Sequence, residues 1–441
     1  MHLNLFILGH GHHEASSRHP GASPLALTDL RYYQDLVQRG EAALFDSVFL
    51  ADGLIMAGDF SGGARGGLEP LTLLAALAAT TSRIGLIATA STTYTEPFNL
   101  ARQFASLDHL SNGRIAWNIV TSSVTATAQN FGGAEGGAEP PSHADRYKRA
   151  EEYMTVVRGL WDGWAEDANL DLRRNAEAPK GVDRIRALDH EGDHYTVAGP
   201  LNIPRGPQGR PVLVQAGSSE DGRGLAARHA DAIFTAHLEK SSAQEFYGDI
   251  KKRVKAEGRD PDQVLILPGL SPVIGSTEAE ARRMSDELNA LADPDVGLRR
   301  LSARFNGKDF SHLPLDERVT LDDFPDPSTV EGSRSRTEVI LGIVRREQPT
   351  MRRLLAVLAG ARGHYVMAGT PDQVADLMED WFNDGAADGF NVMPPVLPSM
   401  LDVFSAEVIP LLQQRGLFRT AYEGEMLRDH YNLAQPVSQF D

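Results

Sequence analysis

The run Gln215-Ala216-Gly217-Ser218-Ser219-Glu220 follows the apolar segment Val212-Leu213-Val214 and precedes a helix-like stretch from Arg223 to Ala230. Small residues at such a strand-to-helix turn build an anion cradle. Glycine lets the backbone approach a ligand, the serine hydroxyls donate, and the helix N-terminus adds unpaired N–H groups and the positive end of its dipole. A phosphate is the natural guest; the alternative is a turn kept small for packing. Polar groups follow other apolar runs too. His10, His12, His13, Glu14 and Arg18 come after the first, Asp52 after the second, Ser91 to Tyr94 after the third, Asn118 and Thr121 to Ser123 at the end of the fourth, and His237 after the sixth.

Two chemistries compete for these residues. His10-Gly11-His12 has the spacing that places two imidazoles on one metal, with His237 and Asp52 as further ligands. Against a hydrolytic metal site, the last run ends Asn391-Val392-Met393-Pro394-Pro395 and supplies no carboxylate, so no metal is assigned. The other chemistry is that of a flat, phosphate-tailed cofactor. The serine cradle and Asn118 suit it, as does His143 followed four residues later by Tyr147. A helix beginning by His143 would put both side chains on one face. The competing reading there is an ordinary loop-to-helix junction with a packed tyrosine.

The elements that must position these groups follow a βα rhythm. Short apolar runs at Leu3–Leu8, Ser47–Ala51, Ile84–Ala90, Arg114–Val120, Val212–Gln215, Ala232–Thr235, Val264–Ile274 and Gly389–Met393 read as eight strands. Amphipathic segments lie between them, at Leu30–Ala43, Pro70–Thr80, Pro97–Leu110 and Tyr147–Trp161. Eight strands with intervening helices predict an α/β fold of the TIM-like (β/α)8 barrel type, in which residues just past each strand converge on one face. A doubly wound open sheet is the runner-up. The chain reads as one domain, 1–441, with a flexible loop at Gly132–Ser142 and a long insertion at 277–364 between strands seven and eight. Insertions at that end of a barrel sit over the catalytic mouth, so 277–364 is expected to form a lid, or else a helical ornament for oligomerisation. The apolar stretch Val403–Leu417 suits an interface helix and core packing equally.

Composition excludes several function classes. Apolar residues make up 41% and charged residues 23% of the 441 positions, ordinary for a globular chain. A net charge of −17 repels nucleic acid and anionic membrane surfaces. The absence of cysteine removes disulfides, thiolate metal sites and cysteine nucleophiles together. Met1 to Phe6 lack a basic leader region and no run reaches membrane-spanning length, so the protein is expected in the cytoplasm.

Several ordered motifs then carry a family resemblance. Leu5 to Glu14, Phe45 to Asp52, Thr89 to Phe98, Leu107 to Arg114 and Trp117 to Ser122 closely resemble the flavin-dependent monooxygenases of the bacterial-luciferase-like superfamily. More narrowly, the chain looks like the nitrilotriacetate and dibenzothiophene sulfone monooxygenase group, whose members also act on EDTA, dimethyl sulfide and succinylated cysteine. Arg146-Tyr147, Glu151-Glu152-Tyr153 and Gln215 to Ser219 continue the match. The resemblance implies a two-component enzyme: a barrel binds reduced FMN from a separate NAD(P)H-dependent flavin reductase and uses O₂ to oxygenate an organosulfur or aminocarboxylate substrate. It implies a homodimer or homotetramer as well. Carried over, Asp52, Thr89, Ser91, Asn118, His143 and Tyr147 would contact the flavin or its ribityl chain, and Ser218 and Ser219 would hold the phosphate; by its own chemistry Arg18 could clamp a substrate carboxylate or sulfonate with paired hydrogen bonds. Arg334 and Arg336 in the insertion are further anion-clamp candidates. No residue stands out as a general base; His10, His12 and His237 are the candidates near the reacting face. The chain departs from the group at Ser17, where a bulky aromatic is expected, and at His237, where a glutamine is usual. Rival expectations are a deazaflavin (F420)-dependent hydride-transfer oxidoreductase and a non-catalytic flavin-binding protein.

Overall fold

The computed structural model describes residues 1–56, 67–122, 124–131, 141–166, 168, 184–330, 334–361 and 363–440. Most of the loop expected at 132–142 and the position Ser123 lie outside the described residues, as do the side chains of Arg334 and Arg336.

The chain runs β1 (His2–Ile7), α1 (Leu30–Ala42), β2 (Ser47–Leu50), α2 (Pro70–Ala78), β3 (Gly85–Ser91), α3 (Pro97–Leu110), β4 (Ile115–Val120), α4 (Thr125–Phe131) and α5 (His143–Asp162). A small antiparallel ribbon, β5 (His190–Glu191) with β6 (Thr196–Val197), precedes β7 (Val212–Gln215), α6 (Glu220–His229), β8 (Ala232–Thr235), α7 (Lys240–Ala256) and β9 (Leu265–Ile274). Four helices follow, α8 (Glu278–Ala290), α9 (Pro294–Arg304), α10 (Arg334–Glu347) and α11 (Met351–Ala361). The chain returns through β10 (Tyr365–Gly369), α12 (Pro371–Asn383) and β11 (Gly389–Val392), then closes with α13 (Ser399–Val403), α14 (Ile409–Gln414) and α15 (Leu427–His430).

Eight of these strands close a parallel barrel in the order β1-β2-β3-β4-β7-β8-β9-β11, and β11 returns to β1 with Gly389 opposite His2 and Val392 opposite Leu5. These are the eight runs read as strands. The ninth parallel strand, β10, was not expected. It pairs with the far half of the ten-residue β9, from Leu270 opposite Tyr365 to Ile274 opposite Gly369, and so extends the sheet beyond the barrel wall. Five residues of mixed exposure carry too little periodicity to separate a strand from the end of a helix.

Local chemistry sets the helix starts. Glu69 caps α2 through its carboxylate, and Pro70 and Pro97 occupy first-turn positions where a missing N–H costs nothing. Thr370 and Gln373 form a reciprocal capping box on α12. Inside the barrel Phe49, Ile87, Val212, Val214, Phe234 and Leu267 interdigitate, and Leu427, Tyr431 and Leu433 from the C-terminal segment join the same cluster. That segment plugs the barrel floor: the Tyr431 hydroxyl and the Ser47 hydroxyl both donate to Asn4 Oδ1, at 2.7 and 2.8 Å. Phe404, Val408, Ile409 and Leu412 of the 403–417 stretch pack into the main core. The segment holding α9, α10 and α11 has a separate core around Phe305, Phe310, Phe324, Ile340 and Leu354.

Candidate active site

Parallel register puts Thr89 of β3 opposite Asn118 of β4, both nearly fully buried toward the C-terminal end of the barrel. The Thr89 hydroxyl spends its proton on the Leu50 carbonyl at 2.9 Å, so it can only accept from Asn118 Nδ2, also at 2.9 Å. This orients the amide. Asn118 Oδ1 is thereby left buried with no hydrogen-bond partner among the described residues. An orphaned acceptor of this kind costs about 1–3 kcal/mol unless a ligand brings a donor to it. One turn of the site further out, Ser122 donates to Ser91 Oγ at 2.8 Å, and Ser91 Oγ accepts from the Thr93 N–H at 3.2 Å. Gln215 Oε1, Ser271 Oγ and Asn391 Oδ1 are buried without partners in the same way. Asn391 pairs with Asn4 at the floor end of the barrel rather than at the mouth, and neither it nor Ser271 was singled out in the sequence. The signal that would have found them is a polar side chain inside an otherwise apolar buried strand.

The β7–α6 turn carries the second half of the site. Helix α6 begins at Glu220, three residues before the helix-like stretch expected from Arg223, because Ser219 caps it by accepting from the Gly222 N–H at 3.2 Å. Helix α5 begins at His143, so His143 and Tyr147 do share a face, with ring centroids 4.9 Å apart. Tyr147 OH lies 3.3 Å from Ser219 Oγ, and His143 Nδ1 lies 3.0 Å from Asp221 Oδ2. Two helix starts therefore meet at one point. A Cβ at Gly222 would sit 3.1 Å from both Ser219 Oγ and Tyr147 OH, so the absence of a side chain there keeps the cradle open. Of the two acids in the first turn of α6, Glu220 is neutralised by a fork from Arg253 at 2.6 and 3.0 Å, and Asp221 lies against the His143 ring. Ser218 contributes its carbonyl to Arg223 Nε at 3.0 Å.

The three candidate histidines are held by separate partners. His10 Nε2 meets the Leu25 carbonyl at 3.0 Å. His12 is buried, with its ring on Phe6 and Nε2 2.9 Å from the Phe6 carbonyl, over the barrel interior. His237 lies between Thr235 Oγ1 at 2.9 Å and Ser242 Oγ at 3.1 Å and packs on Phe246 of α7. Desolvation, reinforced by Arg223, lowers its pKa to about 4 and keeps it neutral near pH 7. Asp52 stands at the exposed rim, accepting from the Gly53 N–H at 2.8 Å; desolvation pushes its pKa up. Arg18 is exposed and donates to the Leu291 carbonyl at 2.9 Å. Among the described residues, His10, His12, His237 and Asp52 do not gather into a group that could hold a metal ion.

A barrel mouth lined with hydroxyls and an orphaned amide oxygen, beside a double-helix anion cradle, fits a planar cofactor bearing a phosphate. The family model for luciferase-like monooxygenases matches residues 1–388. The chain belongs to that family. It is 46% identical over 99% of its length, and 98% of the relative's, to the N-acetyl-S-(2-succino)cysteine monooxygenase of Bacillus subtilis (strain 168). It is 43% identical to nitrilotriacetate monooxygenase component A of Aminobacter aminovorans, covering 99% of this chain and 97% of that one. Among solved structures, a riboflavin lyase with modified FMN and riboflavin superposes with a TM-score of 0.84 at 31% identity, covering 98% of this chain and 95% of the other. This luciferase-like protein is a flavin-dependent monooxygenase. Among its described residues, no helix is long and apolar enough to cross a membrane.

Proposed function

We propose that this luciferase-like monooxygenase takes reduced FMN from a separate NAD(P)H-dependent flavin reductase and uses O₂ to oxygenate a small organosulfur or aminocarboxylate substrate. The observation that carries the reading is the pairing of an oriented, orphaned Asn118 carbonyl with the Ser219–Tyr147 cradle. One recognises a hydrogen-bond donor on a flat ring system and the other an anionic tail. The names of the two relatives, one acting on a succinylated cysteine and one on nitrilotriacetate, support the substrate class. A relative named as a component A and a structural neighbour holding modified FMN support the separate reductase and the cofactor.

Bound flavin supplies the electrons and the oxygen-activating chemistry. Thr89 and Ser91 hold Asn118 and Ser122 in fixed orientations, so the site reorganises little on binding. Asp52, at the rim of the mouth, would meet the flavin's edge. Ser218, Ser219, Tyr147 and His143 bind the phosphate at the paired helix starts. His12 covers the barrel interior with its aromatic edge, and neutral His237 accepts or donates one hydrogen bond without carrying charge. His10, held on the Leu25 carbonyl, is the remaining histidine candidate near the reacting face. Arg18 offers an exposed guanidinium to a substrate carboxylate, and 277–364 closes over the mouth to exclude water. The enzyme works as a cytoplasmic homodimer or homotetramer.

Anaerobic titration with FMN, oxidised and reduced, and with the deazaflavin F420 beside it tests the reading. Tight binding of reduced FMN with weak binding of oxidised FMN is the expected result; preference for the deazaflavin would replace oxygenation with hydride transfer. Oxygen uptake across a panel of organosulfur and aminocarboxylate compounds then identifies the substrate, and silence across the panel would favour a non-catalytic flavin binder.

A further inference from the structure

We propose a second anion site, at the end of the barrel opposite the serine cradle, that takes inorganic phosphate or another small oxyanion. A cavity of about 450 Å³ opens there between the C-terminal ends of α6 and α7 and the segment 433–436. Ser219 heads α6 while Arg228 and His229 end it, so about 15 Å of helix separates the two sites.

Arg158, Arg210, Arg228, Arg259, Arg428 and His229 line this cavity. The carboxylates around it are already shared. Glu151 accepts from both Arg228 and His229, and Glu257 lies 3.7 Å from the same Arg228. Asp162 accepts from Arg210 at 2.6 Å and has Arg205 at 3.7 Å. Asp231 meets Arg428 at 3.2 Å and Arg259 at 3.6 Å. Among the described residues, six guanidinium groups thus stand against four carboxylates here, in a chain whose net charge is −17.

The surplus falls on Arg158. Its one hydrogen-bond partner among the described residues is His229 Nδ1, at 3.2 Å. Because His229 Nε2 faces the Glu151 carboxylate at 2.8 Å, that nitrogen carries the proton and Nδ1 accepts. That imidazole gives Arg158 a hydrogen bond, and no carboxylate among the described residues bonds it directly. Burial, with Arg210 and Arg259 nearby, lowers the pKa of Arg158 against the opposing pull of Asp162 and Asp231. The negative pole of α6 is also covered, since Arg259 donates to the carbonyls of Ala227 and Ala230 at 3.0 and 2.8 Å. Planar guanidinium groups around a polar cavity recognise a tetrahedral oxyanion by paired hydrogen bonds.

The test is calorimetric titration of the full-length protein with inorganic phosphate, against chloride at matched ionic strength. Wild type and Tyr147→Phe are expected to keep one phosphate site alike, over and above any phosphate the flavin cradle takes, because this site does not use the cradle. Arg158→Gln is expected to weaken binding about tenfold, as for loss of one charge-assisted pair. Gln435→Glu, an exposed change at the cavity lining that leaves the fold untouched, should weaken it as well. Absence of saturable binding, unchanged affinity in both cavity variants, or loss of binding in Tyr147→Phe would overturn the proposal. The outcome is independent of the FMN reading, which the anaerobic flavin titration decides on its own.

Discussion

Asn118 Nδ2 donates to Thr89 Oγ1 at 2.9 Å across neighbouring barrel strands, and that bond leaves the buried amide oxygen with no donor among the described residues. Stability has been surrendered for binding at this position. Asn118→Leu should therefore raise the melting temperature of the flavin-free protein, since an apolar side chain removes the orphan, while reduced-FMN affinity falls by about 1–2 kcal/mol. Differential scanning calorimetry beside flavin titration checks both signs. A variant that loses stability and keeps its affinity would remove Asn118 from the site.

Ser219 both caps α6 and contacts Tyr147. Ser219→Ala is expected to cost about 0.5–2 kcal/mol of stability through the lost cap, and about 1–2 kcal/mol of FMN affinity. Tyr147→Phe should reduce affinity by a similar amount with little change in stability. Because the hydroxyls are 3.3 Å apart, the double variant should lose less affinity than the two single losses added together. Strict additivity in that cycle would mean the two hydroxyls bind independently.

The pH dependence of stability has a signature at His237. Its folded pKa, about 4, lies below the ordinary histidine value of 6.5, so between those values the unfolded chain binds the extra proton and stability falls as pH drops. Buried Asp108 opposes this. Desolvation pushes its pKa up to about 6, so over the pH range from 3.8 to 6 the folded state holds the proton and stability falls as pH rises. Only a difference between variants isolates the histidine. Denaturant midpoints of His237→Gln should drop less than wild type between pH 6.5 and 4, with the two curves parallel above pH 7. Parallel curves throughout would show that His237 titrates normally.

The C-terminal plug should matter for stability and leave flavin binding alone. Leu427 is fully buried, and Leu427→Ala is expected to cost about 2–5 kcal/mol. Reduced-FMN affinity, measured below the melting temperature, should stay within about twofold of wild type, because the floor and the cradle lie at opposite ends of the barrel. A large loss of affinity would couple the two ends.

Much of the scaffold was legible because its signals are local. A strand buried on both faces needs a continuous apolar run, so the eight barrel strands are visible as eight runs in the amino-acid order alone, and Pro70 and Pro97 mark helix starts by chemistry confined to one turn. The His143–Tyr147 spacing and the Gly217-Ser218-Ser219 turn likewise announce themselves, since both depend on residues adjacent in the chain. Tertiary structure decided the rest. β10 exists because the second half of β9 projects past the barrel and offers an unpaired edge, which five ambiguous residues fill. The orphaned oxygen of Asn118 depends on where the Thr89 proton goes, and that is set by a carbonyl 39 positions away, at Leu50. The sharing of Glu151, Asp162 and Asp231 among arginines brought together from α5, α6, the β7 approach and the C-terminal segment is a matter of distance in space. The amino-acid order determined which residues form strands, helices and caps, because those choices are settled within a few positions. Which polar groups finish without partners, and so await a ligand, only the folded chain decides, because a hydrogen-bond account closes only when every neighbour is in place.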